Sequence, residues 1–176
     1  MINEPKTLYK LMVLHMLGQV NFPLTESQIS DFFLSREYTN YFNLKQTLCE
    51  LSSSMLISME TIHNSSRYTI TDEGTRTLEF FEQNIPAGIL DDIDDYLRAN
   101  RFRMRNEISN TADYYKLSAS EYIVHCEIRE GKSILLGMDL SVPDEKAAEH
   151  MSTRWTGKSS DIYSFIMKAL MSGDDT

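Results

Sequence analysis

The stretch from Leu56 to Leu78 constrains the fold of this chain more than any other part of it. Residues 56–62 are typical of a β-strand, residues 63–66 are rich in turn formers, and residues 67–70 predict a returning strand. Thr71 then predicts an N-cap, because two acidic residues follow it and negative charge stabilises the first turn of a helix. The stretch therefore predicts a β-hairpin that leads directly into a helix.

Three helices are predicted upstream of this hairpin. The first covers residues 5–20, where apolar side chains leave little polar surface. Thr25 and Gln28 have the spacing of a capping box, which predicts the start of the second helix. Thr39 or Asn40 is predicted to cap the third helix, which runs to about Ser54 and carries apolar residues at helical spacing.

The second half of the chain predicts a separate domain. The segment Asn84-Ile85-Pro86 marks the boundary, because proline disfavours helical geometry in the residue before it. The predicted domains are residues 1–85 and 86–176. The second domain is divided into a long linking helix at 87–107, a three-stranded antiparallel sheet at 112–142 and a helical region at 143–171.

Alternating apolar residues predict the register of the last two strands. The loop Arg129-Glu130-Gly131 has three residues, and its glycine suits a left-handed position in a bulged turn. The predicted pairs are Ile128 with Lys132, Cys126 with Ile134, and Val124 with Leu136. His125 falls on the opposite, solvent-facing side. Gly157 and Ser159 leave open whether the final region is one helix or two.

The charge balance restricts which partners the chain can bind. It carries 17 basic and 26 acidic side chains, for a net charge of −9. Residues 1–85 hold six basic and ten acidic side chains, so this half carries −4. Affinity for DNA comes largely from lysine and arginine at phosphates, so DNA binding would require a local basic patch.

Composition also indicates the class of protein and its location. The sequence contains no run of about 18 apolar residues, so no membrane span is expected. The first ten residues lack the pattern of a signal peptide. Cys49 and Cys126 fall in a predicted helix and a predicted strand, as expected for reduced structural thiols. The expected location is the cytoplasm.

Several strings resemble a bacterial family known only as a domain of unknown function, over most of residues 5–170. They are NFPLTESQISDFFLSREYTNYF, IHNSSRYTITDEG and EYIVHCEI. Members of that family join an N-terminal winged helix to a C-terminal β-rich extension. Tyr68–Gly74 is also similar to the Y-x-L-T-x-x-G junction of winged-helix regulators. A wider resemblance, to PadR-like and MarR-like regulators over residues 5–84, implies sequence-specific DNA binding as a dimer.

Together these observations predict an α+β fold. It consists of an N-terminal winged helix-turn-helix, a long helix, and a small antiparallel three-stranded sheet covered by a C-terminal helix or helices. In a winged helix the third helix, here about 40–54, enters the major groove, and the hairpin, here the 63–67 wing, touches the DNA backbone. The C-terminal domain is then expected to form a homodimer or to sense a small-molecule or protein effector.

The predicted DNA-binding residues are those whose side chains suit bases or phosphates. Asparagine and glutamine can pair with adenine, lysine with guanine or phosphate, and arginine at a wing with the minor groove or phosphate. The set is Thr39, Asn40, Asn43, Lys45, Gln46, Ser65 and Arg67. The alternative is a winged helix that contacts only other proteins, which the acidic balance favours.

No pattern of catalytic residues emerges from the sequence, so an enzyme is not expected. It contains no glycine-rich phosphate loop, no Cys/His metal pairing and no G-x-S-x-G elbow. The aspartates at 91–95 lack the spacing and glycine of a calcium loop, so neither a metal nor a cofactor is predicted. The four arginines at 98–105 either bind an anion or form a solvated end of the long helix that complements its dipole.

Overall fold

The computed structural model describes residues 5–62 and 65–172, which divide into two compact units between Met104 and Arg105. The fold is mixed α+β, with six α-helices and two three-stranded antiparallel sheets among these residues. The first unit contains α1 (Pro5–Gly18), β1 (Leu24–Thr25), α2 (Glu26–Ser35), α3 (Tyr41–Ser53), β2 (Ile57–Ile62), β3 (Ser65–Ile70) and α4 (Asp72–Phe81). A short 3-10 turn, Glu82–Asn84, then precedes α5 (Ala87–Ser109).

The predicted helix starts in the first unit are confirmed by hydrogen bonds. Thr25 Oγ1 accepts from the Gln28 amide at 3.1 Å and Gln28 Oε1 accepts from the Thr25 amide at 3.0 Å, which completes the capping box. The Asn40 side chain accepts from the Asn43 amide at 2.9 Å, so Asn40 caps α3. Thr71 caps α4 in the same way. The first helix ends at Gly18 and not at Val20 as predicted.

The sheet of the first unit has the strand order β1-β3-β2. The hairpin of β2 and β3 pairs Ile57 with Ile70 at one end and Ile62 with Ser65 at the other. Ser65 and Ser66 were predicted to form part of the turn, but they belong to β3, so that boundary was wrong. The two-residue strand β1 was not predicted, because its residues show no alternation and it exists only through its pairing with β3.

The first core includes one buried histidine in addition to its apolar side chains. His15, in the last turn of α1, has Nδ1 2.8 Å from a Glu82 carboxylate oxygen and Nε2 3.1 Å from one of Asp94. Asp94 lies on α5, and its neighbour Asp92 accepts a 2.5 Å hydrogen bond from the Tyr38 hydroxyl. The aspartate-rich start of α5 therefore attaches this helix to the first unit.

Most of α5 packs with the first core, which explains where the two units divide. Ile93, Leu97 and Met104 are buried in the same apolar cluster as α1 to α3. The division consequently falls between Met104 and Arg105, whereas the sequence placed a domain boundary at Ile85 and Pro86. Proline marks the start of α5, but only burial reveals how far along the helix the first core extends.

The second unit is built on β4 (Asn110–Ser118), β5 (Glu121–Glu130) and β6 (Ser133–Val142), in that spatial order. The predicted register of β5 and β6 was wrong: Cys126 pairs with Met138 and Val124 with Leu140. Gly131 has a φ of +58° as expected, but the pairing shifts between Ile128 and Arg129 and skips Leu135. The bulge turns Ile134 away from the apolar face, which leaves this side chain exposed.

A single continuous helix covers the apolar face of this sheet. Helix α6 (Glu145–Met171) passes through Gly157 and Ser159 without a break, so of the two alternatives the structure contains one helix. Trp155 is 3% exposed, and its indole Nε1–H donates to the Glu127 carbonyl at 3.1 Å. It packs in a core with Val124, Cys126 and Ala148. The side chain of Trp155 thus joins helix and sheet through both packing and a buried hydrogen bond.

Candidate nucleic-acid interface

The outward side of α3 is the surface on which most of the predicted DNA-binding residues lie. Leu44, Leu48 and Leu51 are buried in the first core, so the opposite side of the helix faces outward. Exposed on that side are Tyr41, Phe42, Lys45, Gln46 and Cys49. Phe42 is 76% exposed and lies beside the exposed Tyr41.

Lys45 is held by a carboxylate at the start of α2. Its ammonium lies 2.5 Å from Glu26 Oε2, and the same carboxylate accepts hydrogen bonds from the hydroxyls of Tyr41 at 2.7 Å and Tyr68 at 3.3 Å. Burial alone would raise the pKa of Glu26, but the bonds from Lys45 and Tyr41 outweigh it and lower that pKa. The cation predicted to reach DNA is therefore already paired within the protein.

Gln46 is paired in a similar way further along α3. Its amide nitrogen donates to Glu50 at 3.0 Å, and Glu50 also forms an ion pair with Lys10 of α1 at 2.6 Å. The hydrogen bond from Lys10 lowers the pKa of the Glu50 carboxyl, so this side chain stays charged. Each lysine bordering this surface therefore has an acidic partner, and the surface is close to neutral.

The hairpin contributes less to this surface than the sequence predicted. Arg67 is only 7% exposed and pairs across the sheet with Glu60 and Thr25, so the expectation that it reaches a phosphate does not fit its burial. Ser65 is half-buried at the start of β3. The predicted tip residues His63 and Asn64 lie outside the described residues.

The structure brings together five of the predicted residues, Thr39, Asn40, Asn43, Lys45 and Gln46, at the first half of α3. Thr39 and Asn43 are half-buried, and the Asn40 side chain is committed to its cap. Sequence reasoning missed Glu26, the residue that controls Lys45, because the two are 19 positions apart and share no motif. The one available signal was the position of Glu26 in the first turn of a well-capped helix.

A second charged cluster lies in the second unit, on the sheet face opposite Cys126. His125 Nε2 is 2.9 Å from Glu127 and Nδ1 is 2.5 Å from Asp139, while Arg129 Nε donates to Glu127 at 2.6 Å. Hydrogen bonds from Arg129 and His125 hold the pKa of Glu127 at about 2. Hydrogen bonds to Glu127 and Asp139 raise the pKa of His125.

These two pKa shifts predict a pH window of greatest stability. Glu127 contributes stability above its ordinary pKa of 4.5, and this is lost as pH falls towards about 2. His125 contributes stability below its ordinary pKa of 6.5, and this is lost as pH rises through its higher folded value. Urea unfolding followed at Trp155 should therefore give the highest free energy between pH 4.5 and 6.5. In Glu127→Gln, the fall in the free energy of unfolding between pH 4.5 and about 2 should be smaller by about 1–3 kcal/mol. An unchanged fall would show that Glu127 does not stabilise the fold.

Among residues 5–62 and 65–172, no helix is long and apolar enough to cross a bilayer. Within the same residues, no group of three or more His, Cys, Asp or Glu side chains is arranged to hold a metal ion.

Comparisons with known proteins give one match. No curated protein and no solved structure matches the chain. A family model does match, over residues 9–170, which is nearly the whole chain. Because this match covers both compact units, the chain belongs to the family described as Domain of unknown function (DUF4364).

Proposed function

We propose that the first unit is a winged helix that binds double-stranded DNA and that the protein is a transcriptional regulator. The observation that carries this proposal is the order of elements: helix, short strand, two helices and a hairpin, with β1 added beside β3. In a winged helix with this order, α3 enters the major groove and the hairpin lies along the backbone. The exposed side of α3, with Lys45 and Gln46, is the surface that would read bases.

The ion pair between Lys45 and Glu26 gives this proposal its sharpest test. Glu26→Gln removes the carboxylate that neutralises Lys45, so binding to duplex DNA should tighten by about eightfold near 0.1 M salt. Lys45→Ala should weaken binding by about the same factor. Fluorescence anisotropy with a labelled duplex measures both, and Glu79→Gln is the matched control because it removes an equal, exposed charge from a different helix, α4.

The opposite behaviour would exclude DNA as the partner. If the wild-type protein and Glu26→Gln both fail to bind duplex DNA at low salt, the proposal is wrong. If they bind but Lys45→Ala binds equally well, α3 is not the contacting helix. Circular dichroism of each variant checks that the fold is retained.

A second candidate is a winged helix that binds another protein. The specific observation favouring it is the exposed pair Tyr41 and Phe42 beside lysines that are already neutralised. Aromatic side chains are enriched where protein interfaces form. This candidate predicts that a partner protects α3 from hydrogen exchange and that Phe42→Ala weakens binding, whereas Lys45→Ala does not.

Whether the first unit binds DNA or another protein, the second unit would dimerise or sense an effector. The last turns of α6 expose Phe165, Leu170 and Met171, each more than 70% accessible. Such side chains suit a contact with a second copy of the chain. Sedimentation of the DNA-binding sample tests this directly, because a mass equal to one chain would rule dimerisation out.

A further inference from the structure

The second half of α5 carries the densest positive charge in the chain. Four of the 17 basic side chains fall within residues 98–105, and residues 96–106 contain no acidic side chain. Three of them, Arg98, Arg101 and Arg103, belong to the first unit. This concentration stands out because the whole chain carries a net charge of −9.

Arg98, Arg101 and Phe102 form one exposed stripe, since residues three and four positions apart lie side by side on a helix. The Arg98 side chain is 77% exposed, and Phe102 is 83% exposed. Arg98 contacts Asp95 at 3.0 Å, but both groups are so accessible that their pairing contributes little. Arg101 donates to the Gln19 carbonyl, which fixes its position and uses only one of its five N–H donors.

The second half of α5 adjoins the same end of α2 as the start of α3 does. Gln28, in the first turn of α2, donates its side-chain amide to the Met104 carbonyl at 3.2 Å and so ties that turn to the second half of α5. Two positions earlier, Glu26 holds Lys45 and Tyr41 of α3. The second half of α5 and the start of α3 therefore both pack against the first turn of α2.

We propose that Arg98 and Arg101 bind phosphates of duplex DNA beside the groove that α3 enters, with Phe102 covered in the complex. This inference rests on the proposed function and adds to it the source of affinity that α3 lacks. Arginine suits phosphate because its planar guanidinium presents several donors at once. Charge complementarity selects a polyanion as the partner, because the remainder of the first unit would repel one.

The test measures how affinity for a fluorescein-labelled duplex depends on salt, between about 0.05 and 0.3 M. Arg98→Gln/Arg101→Gln should reduce the slope of log affinity against log salt by about 1.8 and weaken binding about 60-fold at 0.1 M. Arg98→Gln alone keeps the hydrogen bond between Arg101 and Gln19, and its affinity for the duplex should fall about eightfold at 0.1 M salt. The matched control, Arg76→Gln/Arg154→Gln, removes two exposed charges from α4 and α6 and should leave the slope unchanged.

The outcomes separate this inference from the proposed function. If the wild-type protein does not bind duplex DNA, both are wrong. If it binds and the two double variants lose affinity equally, the stripe has no specific role, while DNA binding stands. If the Arg98→Gln/Arg101→Gln defect appears with single-stranded DNA and not with duplex, the duplex assignment is overturned.

Discussion

Among glycine-to-alanine substitutions in the first unit, Gly74→Ala is expected to be the most destabilising. A Cβ at this position would lie 2.0 Å from the Leu56 carbonyl oxygen and 2.9 Å from Cγ1 of Ile70. The carbonyl cannot move away easily, because it accepts hydrogen bonds from the Thr71 amide at 3.1 Å and the Thr71 hydroxyl at 3.0 Å. Relief requires α4 to shift away from the hairpin, which breaks the cap of α4 and its packing.

We expect the free energy of unfolding to fall by about 3 kcal/mol or more, at the upper end of the cost of overpacking. Urea unfolding followed by circular dichroism measures this loss. Gly88→Ala is the matched control, because a Cβ there meets nothing within 4 Å and α5 should tolerate it. If both variants unfold at the same urea concentration, the close approach of α4 to Leu56 does not exist in solution.

Trp155→Ala should cost the second unit about 3–5 kcal/mol. The substitution removes the largest side chain of the second core and leaves a cavity among Val124, Cys126 and Ala148. It also removes the buried hydrogen bond that the indole donates to the Glu127 carbonyl, which adds to the loss. Calorimetry is the appropriate measurement, because the variant lacks the only tryptophan that would report unfolding by fluorescence.

Two further variants separate these contributions. Trp155→Phe restores part of the apolar volume but not the N–H donor, so its loss should lie between that of wild type and Trp155→Ala. Lys158→Ala removes an exposed side chain from the same helix and should change stability by less than about 0.5 kcal/mol. Equal losses for Trp155→Ala and Lys158→Ala would mean that α6 does not cover the sheet.

Local signals in the sequence predicted local structure well. Thr25, Asn40 and Thr71 each begin a helix as expected, because capping depends on residues within three positions of each other. The alternation predicted for β5 was also correct, since Val124 and Cys126 share the covered face, and that predicted for β6 holds from Leu136 onward but not at Ile134. The pairing itself was wrong, because a bulge at Leu135 depends on contacts across the sheet and leaves no mark on alternation.

The candidate site was less predictable, because its electrostatics depend on partners distant in sequence. Lys45 was expected to be available to DNA, yet the fold brings Glu26 to it from another helix. Arg67 was placed near the right part of the hairpin, but its burial depends on β1 lying alongside β3. Residue type and helical spacing identify which side of α3 faces outward; they do not show which charges on it are already neutralised.

The two cysteines differ in a way that makes α3 directly observable. Cys49 is exposed on α3, whereas Cys126 is buried in the second core, where burial raises the pKa of its thiol to about 11. Thiol-specific reagents act on the accessible thiolate, so the wild-type chain should accept a single fluorophore or spin label at Cys49. Such a label would report on the environment of the proposed reading helix in the unaltered sequence, without an engineered attachment point.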